Sequence, residues 1–66
     1  MIKFVDLLKT LTCEQYIVVN KQVANTTFSL AFFGTVDNVR KEHTYDNYKV
    51  KTIDVFRNAL HIVIEE

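Results

Sequence analysis

The first apolar pattern in the chain has the period of a helix. Within residues 3–11, Phe4, Leu7, Leu8 and Leu11 recur at intervals of three and four positions. This spacing places the four side chains on one helical face. The pattern predicts a helix over residues 3–11 that buries this face.

Two segments with strand character follow the helix. Residues 16–20 are rich in β-branched side chains, which predicts a short strand. Residues 21–26 are polar and predict a hairpin connection. Residues 27–33 alternate, which predicts a second, half-buried strand. The alternation predicts a core face made of Phe28, Leu30 and Phe32, and an opposite face that includes Ala31 and Phe33.

The single glycine of the chain precedes a predicted second helix. Gly34 is followed by Thr35, a residue type that commonly caps helix N-termini. We expect a short helix from this cap to about Lys41, with Val36 and Val39 as its thin apolar stripe. A polar loop is predicted over the six residues that follow.

The last third of the chain predicts a hairpin. Residues 48–56 alternate but change phase, and a β-bulge near Lys51-Thr52 would restore the register. Residues 59–65 alternate without a break. Arg57-Asn58 between them favours a two-residue turn, because asparagine tolerates positive φ. This turn pairs Val55 with Leu60, Ile53 with Ile62, and Asp54 with His61.

These elements predict an α+β fold in a single domain that spans residues 1–66. Their order is helix, strand, strand, helix, strand, strand. Two hairpins would form one antiparallel sheet of about four strands, and two short helices would pack on one of its faces.

Composition and charge exclude several classes of protein. The chain has 66 residues, 48% of them apolar, and a formal net charge of zero. This apolar fraction is too high for a disordered tail, and no apolar run has the ~20 residues of a membrane span. The zero charge argues against a nucleic-acid-binding protein. Cys13 is the only cysteine, so no internal disulfide is expected. Without a recognisable secretion signal, the expected location is cytoplasmic.

The sequence offers little catalytic chemistry, and we predict a non-enzyme with no catalytic residue, cofactor or metal site. Glycine-rich phosphate loops, metal-ligand spacings and nucleophile–base motifs are not found. His61 with Asp54 could form an orienting pair for base catalysis, but an exposed cross-strand contact is favoured. His43 is expected in solvent, and Cys13 is expected to be a partly buried filler with no basic neighbour.

The predicted sheet has a second apolar face, which is unusual for a monomer. We expect this face to be buried against a protein partner or another copy of the chain, giving a homo-oligomer and most simply a dimer. Free edge strands offer a second route to association. The expected interaction residues are Ala31, Phe33, Tyr48, Val50, Phe56, His61 and Val63.

An alternative function is single-stranded nucleic-acid binding through residues 40–51. This segment interleaves basic and aromatic residues, the composition of platforms that stack bases on rings. Glu42 and Asp46 lie in the same segment and reduce its charge, so a solvated loop is the favoured interpretation.

Four segments carry a resemblance to known proteins. They are Asp6-Leu7-Leu8-Lys9, Phe33-Gly34-Thr35-Val36, residues 48–55 and residues 60–64. Over most of its length the chain resembles small uncharacterised proteins carried by phages and mobile elements of Gram-positive bacteria. The resemblance implies the fold and a mobile-element origin. It assigns no chemistry to any residue. Inhibition of a bacterial defence system is a further alternative that this context implies.

Overall fold

The predicted order of elements is confirmed by the computed structural model, which describes residues 2–66. The fold is α+β, with one four-stranded sheet and two short helices. The elements are α1 (Phe4–Leu8), β1 (Tyr16–Ala24), β2 (Thr27–Thr35), α2 (Val36–Arg40), β3 (Lys49–Phe56) and β4 (Ala59–Glu65).

The sheet is mixed, so the prediction of an antiparallel sheet is wrong at one junction. The strand order is β2-β1-β4-β3. Both hairpins are antiparallel as expected, but β1 and β4 pair in parallel, with Ile17 opposite Leu60 and Val19 opposite Ile62. Turn signals specify each hairpin locally, whereas the joining of two hairpins depends on long-range burial. The two strands richest in isoleucine and valine take the central positions, where burial is greatest.

The core lies on one face of the sheet, beneath both helices. This confirms that the helices pack on the same side. The buried side chains come from both helices and from β1, β3 and β4, and none of those in the described chain is polar. They are Phe4, Leu7, Leu8, Ile17, Val19, Val36, Val39, Val50, Ile62 and Ile64.

The register of β2 differs from the prediction in a consequential way. Val19 pairs with Phe32, but the next residue of β1, Asn20, pairs with Leu30. Ala31 is therefore the extra residue of a β-bulge, which reverses the facing of every residue before it. The expectation that Phe28 and Leu30 face the core is wrong, and both point to the helix-free side of the sheet.

The first hairpin is longer than predicted. β1 continues through Ala24, and the turn is confined to Asn25-Thr26, so the expected connection over residues 21–26 is wrong. Polar side chains in this part of β1 are tolerated because they make contacts along the sheet. The ammonium of Lys21 lies 5.4 Å from the centre of the Tyr48 ring, and Gln22 Oε1 accepts a hydrogen bond from Lys51 Nζ.

The second hairpin confirms the prediction closely. Arg57 and Asn58 form its turn with φ values of 51° and 66°. A register shift between Val50 and Thr52 marks the expected bulge at Lys51. The expected pairs, Val55 with Leu60, Ile53 with Ile62 and Asp54 with His61, are all present.

The junction between β2 and α2 also follows the prediction. Thr35 caps the helix, since its Oγ1 accepts a hydrogen bond from the Asn38 N–H at 3.4 Å. Gly34 has a φ of 146°, a conformation that residues with a Cβ rarely adopt. A Cβ at this position would also lie 3.3 Å from the Phe32 ring. α1, in contrast, ends at Leu8 rather than at Leu11, which packs beside the core.

Candidate docking face

The side of the sheet that carries no helix forms a continuous surface, which we call the open face. Strand pairing arranges its side chains in two rows that cross all four strands. The first row is Phe33, Val18, His61 and Asp54, and the second is Leu30, Asn20, Val63 and Thr52.

Apolar character on the open face is concentrated along β2. Phe28, Leu30 and Phe33 all belong to this strand and point to the helix-free side. Their exposed fractions are 52%, 56% and 61%. We call these three residues the apolar strip. The strand at the opposite edge of the sheet contributes Thr52 and Asp54 to the same rows, so each row changes from apolar to polar across the sheet. Beyond the rows, the exposed Phe56 ring lies at the end of this strand.

Four of the seven predicted interaction residues lie on the open face. Phe33, His61 and Val63 belong to its rows. Phe56 pairs with Ala59 and lies edge-to-face against the His61 ring, with 5.9 Å between ring centres.

The other three predicted interaction residues are elsewhere, and their placement on an exposed apolar face is wrong. Val50 is buried and pairs with Ile64 on the core side. Tyr48 and Ala31 pack against the core. Because of the bulge at Lys51, Val50 points to the core side while Thr52 and Asp54 point to the open face. The bulge at Ala31 likewise leaves Ala31 on the core side while Phe33 points to the open face.

Sequence reasoning also missed part of the site. Regular alternation through Ala31, with no phase change, predicts Phe28 and Leu30 in the core. A signal for the bulge exists in the sequence, since Ala31-Phe32-Phe33 breaks the alternation with three consecutive apolar residues.

Among the described residues, neither imidazole is hydrogen-bonded to a hydroxyl or thiol side chain. Asp54 lies opposite His61, but no hydrogen bond joins their side chains in the described structure, where the histidine contacts Phe56 instead. A second His–Asp pair, which no sequence pattern predicts, joins His43 Nδ1 to Asp46 Oδ2 at 3.0 Å. This pair borders a small cleft of about 220 Å³ above α1, and the His43 side chain is largely exposed, as expected.

Arg40 has a structural role that the sequence did not reveal. Its Nη2 donates hydrogen bonds to the carbonyl oxygens of Leu8 and, at 2.9 Å, Leu11. The guanidinium thereby binds carbonyl groups at the C-terminal end of α1 and just after it. Its Nη1 lies 3.2 Å from Cys13 Sγ. Cys13 is exposed and has a basic neighbour, so both expectations for this residue are wrong.

The aromatic residues of segment 40–51 are engaged within the protein. Tyr45 and Tyr48 pack against the core and lie edge-to-face with ring centres 5.1 Å apart. Lys21 lies over the Tyr48 ring, and the Tyr48 hydroxyl raises the pKa of this lysine. These contacts compete with base stacking, so the geometry gives the nucleic-acid alternative no specific support.

A wider cleft of about 460 Å³ lies at the end of β1 that leads to the first turn. It is open and polar, and its lining carries two lysines and two glutamates. The charges balance, so the cleft does not favour an anion or a cation. Its charged lining residues are Lys21, Lys51, Glu65 and Glu66.

Comparisons with protein-family models, curated proteins and solved structures found no match to this chain. Over residues 2–66, no helix has the length and apolar character needed to cross a bilayer. The same residues contain no cluster of three or more potential metal ligands. The exposed apolar side chains of the open face are the feature that distinguishes this surface.

Proposed function

We propose that this chain is a non-enzymatic protein-binding module that associates with a second copy of itself through the open face. The observation that carries the proposal is the apolar strip. Three large apolar side chains on one strand are each more than half exposed. Contiguous apolar surface of this kind on a small domain is characteristic of protein interaction sites.

The size of the open face is compatible with a reversible dimer. At ~4.8 Å between strands and ~3.3 Å per residue, a sheet of this size presents roughly 500 Å² on one face. Contact through the β2 part of this face alone would bury less than the ~1,200 Å² at which stable, specific interfaces begin. We therefore expect a dimer that dissociates on dilution, rather than an obligate one.

Charge is compatible with a partner that is identical to the chain. The formal net charge is zero, so two copies do not repel each other at long range. The apolar strip itself carries no charge, and the only carboxylate in the two rows, Asp54, lies on the opposite edge strand. Association through the strip would therefore bury no unpaired carboxylate from these rows.

Substitution of Leu30 by aspartate tests the proposal. Sedimentation equilibrium or light scattering over a range of concentrations should show a dimer for the natural chain. Leu30→Asp should shift the chain to monomer, raising the dissociation constant by at least about tenfold, because a desolvated carboxylate costs more than 1.4 kcal/mol.

Val55→Asp is the matched control for this experiment. Val55 is also an aliphatic residue of an edge strand and is 74% exposed, but it pairs with Leu60 on the other side of the sheet. This variant should remain a dimer. A natural chain that is monomeric throughout, or equal weakening by both substitutions, would contradict the proposal.

A mobile-element origin, as the resemblance implies, and an action on a bacterial defence system stay predictions. Both concern the biological setting in which the docking face would operate. The proposal depends on neither of them, because it rests on the exposure and facing of the apolar strip.

A further inference from the structure

We infer that the two copies join edge to edge, with β2 of one copy pairing antiparallel with β2 of the other to form a continuous eight-stranded sheet. This inference rests on the proposed function, since it uses the same apolar strip. It adds the geometry of the interface and identifies the backbone of β2 as part of the binding surface.

The two edges of the sheet differ in how well they are protected against pairing. At the start of β3, Lys3 bridges to Lys49, and the Val50 N–H donates to the Ile2 carbonyl at 2.9 Å. This strand also contains a bulge and charged residues, which discourage the addition of another strand. The β3 edge is thus covered at one end and carries charged residues over its first six positions.

The β2 edge has much less protection. The strand is nine residues long, from Thr27 to Thr35, and contains no charged residue and no proline. In the described part of the chain, its only partner strand is β1, so the backbone groups on its outer side have no strand to bind. A second β-strand has the complementary hydrogen-bonding chemistry.

The bulge at Ala31 makes β2 self-complementary. In a regular strand, Phe28 and Phe33 are five positions apart and would face opposite sides. The bulge brings both to the open face and leaves Ser29 and Phe32 on the helix side. A two-fold axis between Leu30 and Ala31 would therefore pair Phe28 with Phe33 and Ser29 with Phe32, and each of these pairs would share a face. At the axis, Leu30 would lie opposite Ala31, which is on the helix side, so the match holds on both flanks of the bulge and not at its centre.

This register accounts for the position of the apolar strip beside the free edge. Each Phe28 would lie next to Phe33 of the other copy, with Leu30 near the two-fold axis. Cross-strand aromatic pairs of this kind stabilise antiparallel sheets. Backbone hydrogen bonds and apolar contacts would then form together, which favours a second copy of β2 over an unrelated extended segment.

Substitution of Ser29 by lysine tests edge pairing separately from contact through the open face. Ser29 pairs with Lys21 and is exposed on the helix side, so its side chain does not contribute to the apolar strip. In the inferred register a lysine here would lie opposite Phe32 of the other copy, and charged side chains on an edge strand oppose strand addition. We expect Ser29→Lys to raise the dissociation constant of the dimer at least about tenfold, the equivalent of ~1.4 kcal/mol.

The control is Thr52→Lys, which places the same charge on the open-face side of the other edge strand. It should leave edge pairing unchanged. A dimer that survives Ser29→Lys but is lost in Leu30→Asp would refute edge pairing and leave the proposed function intact. Loss of the dimer in Thr52→Lys but not in Ser29→Lys would indicate that the sheets stack face to face instead.

Disulfide trapping tests the register directly. In a Cys13→Ser background, a Phe28→Cys chain and a Phe33→Cys chain should form a mixed disulfide when combined. Neither chain alone should cross-link efficiently, because equivalent positions lie roughly 15 Å apart across the axis in this register, beyond disulfide reach. Efficient cross-linking of either chain with itself, or none in the mixture, would overturn the inferred pairing.

Discussion

Replacement of Phe4 by alanine is expected to reduce the free energy of unfolding by about 3–5 kcal/mol. The Phe4 side chain is 1% exposed and fills the space between α1 and the sheet. A chain of this length has a total stability of about 3–10 kcal/mol, so the variant should be close to unfolded at room temperature. Urea denaturation followed by circular dichroism measures the difference.

Phe28→Ala is the matched control, because it removes the same side chain from a position that is 52% exposed. We expect it to reduce monomer stability by less than about 1 kcal/mol, since no closed cavity is created. Measurement at low protein concentration separates this effect from any loss of the dimer. Equal destabilisation by the two substitutions would mean that Phe28 is packed in a core, contrary to the bulged register of β2.

Substitution of Arg40 by methionine is expected to cost about 2–4 kcal/mol, the second largest effect. The guanidinium donates to two partly buried carbonyl oxygens, those of Leu8 and Leu11. A single hydrogen bond to a charged group contributes about 1.5–3 kcal/mol. Its loss would leave the Leu11 carbonyl without a donor among the described residues, whereas the Leu8 carbonyl keeps the Leu11 N–H at 3.3 Å. Methionine preserves the apolar stem, so the change reports mainly on the lost hydrogen bonds.

Arg57→Met is the control for this substitution. Arg57 lies in the exposed turn between β3 and β4, and its guanidinium lies over the Phe56 ring with 5.3 Å to the centre. An exposed contact of this type contributes about 0.5–1 kcal/mol. The same urea titration should therefore show a clearly larger change for Arg40→Met. A result in which Arg57→Met is as destabilising as Arg40→Met would contradict the role assigned to Arg40.

The elements that the sequence predicted well are those with local signals. The turn at Arg57-Asn58 needs positive φ values, and asparagine tolerates such a conformation. The cap at Thr35 and the phase change at Lys51 are also visible within a few residues of sequence. Each of these predictions depends on the backbone requirements of a short segment, and each is confirmed.

The strand pairing and side-chain facing that were predicted wrongly depend on contacts between segments distant in sequence or on a single extra residue in a strand. The parallel pairing of Ile17 with Leu60 joins segments separated by most of the chain, and no turn specifies it. The bulge at Ala31 adds one residue and thereby moves Phe28 and Leu30 from one face to the other. The alternation therefore predicts the helix-free side of the sheet as the exposed apolar face, but it identifies only part of the residues that lie there.

The central claim is that the two helices cover the core on one face of the sheet and that the β2 side of the other face binds a second copy. The most direct measurement is a series of ¹H–¹⁵N NMR spectra recorded between about 10 µM and 1 mM, a range that detects dimers of modest affinity. The account predicts concentration-dependent shifts that are largest for the amides of Phe28, Leu30 and Phe33, with the amides of α1 and α2 nearly unchanged. Spectra that do not change with concentration, or shifts that are centred on the helices, would contradict it.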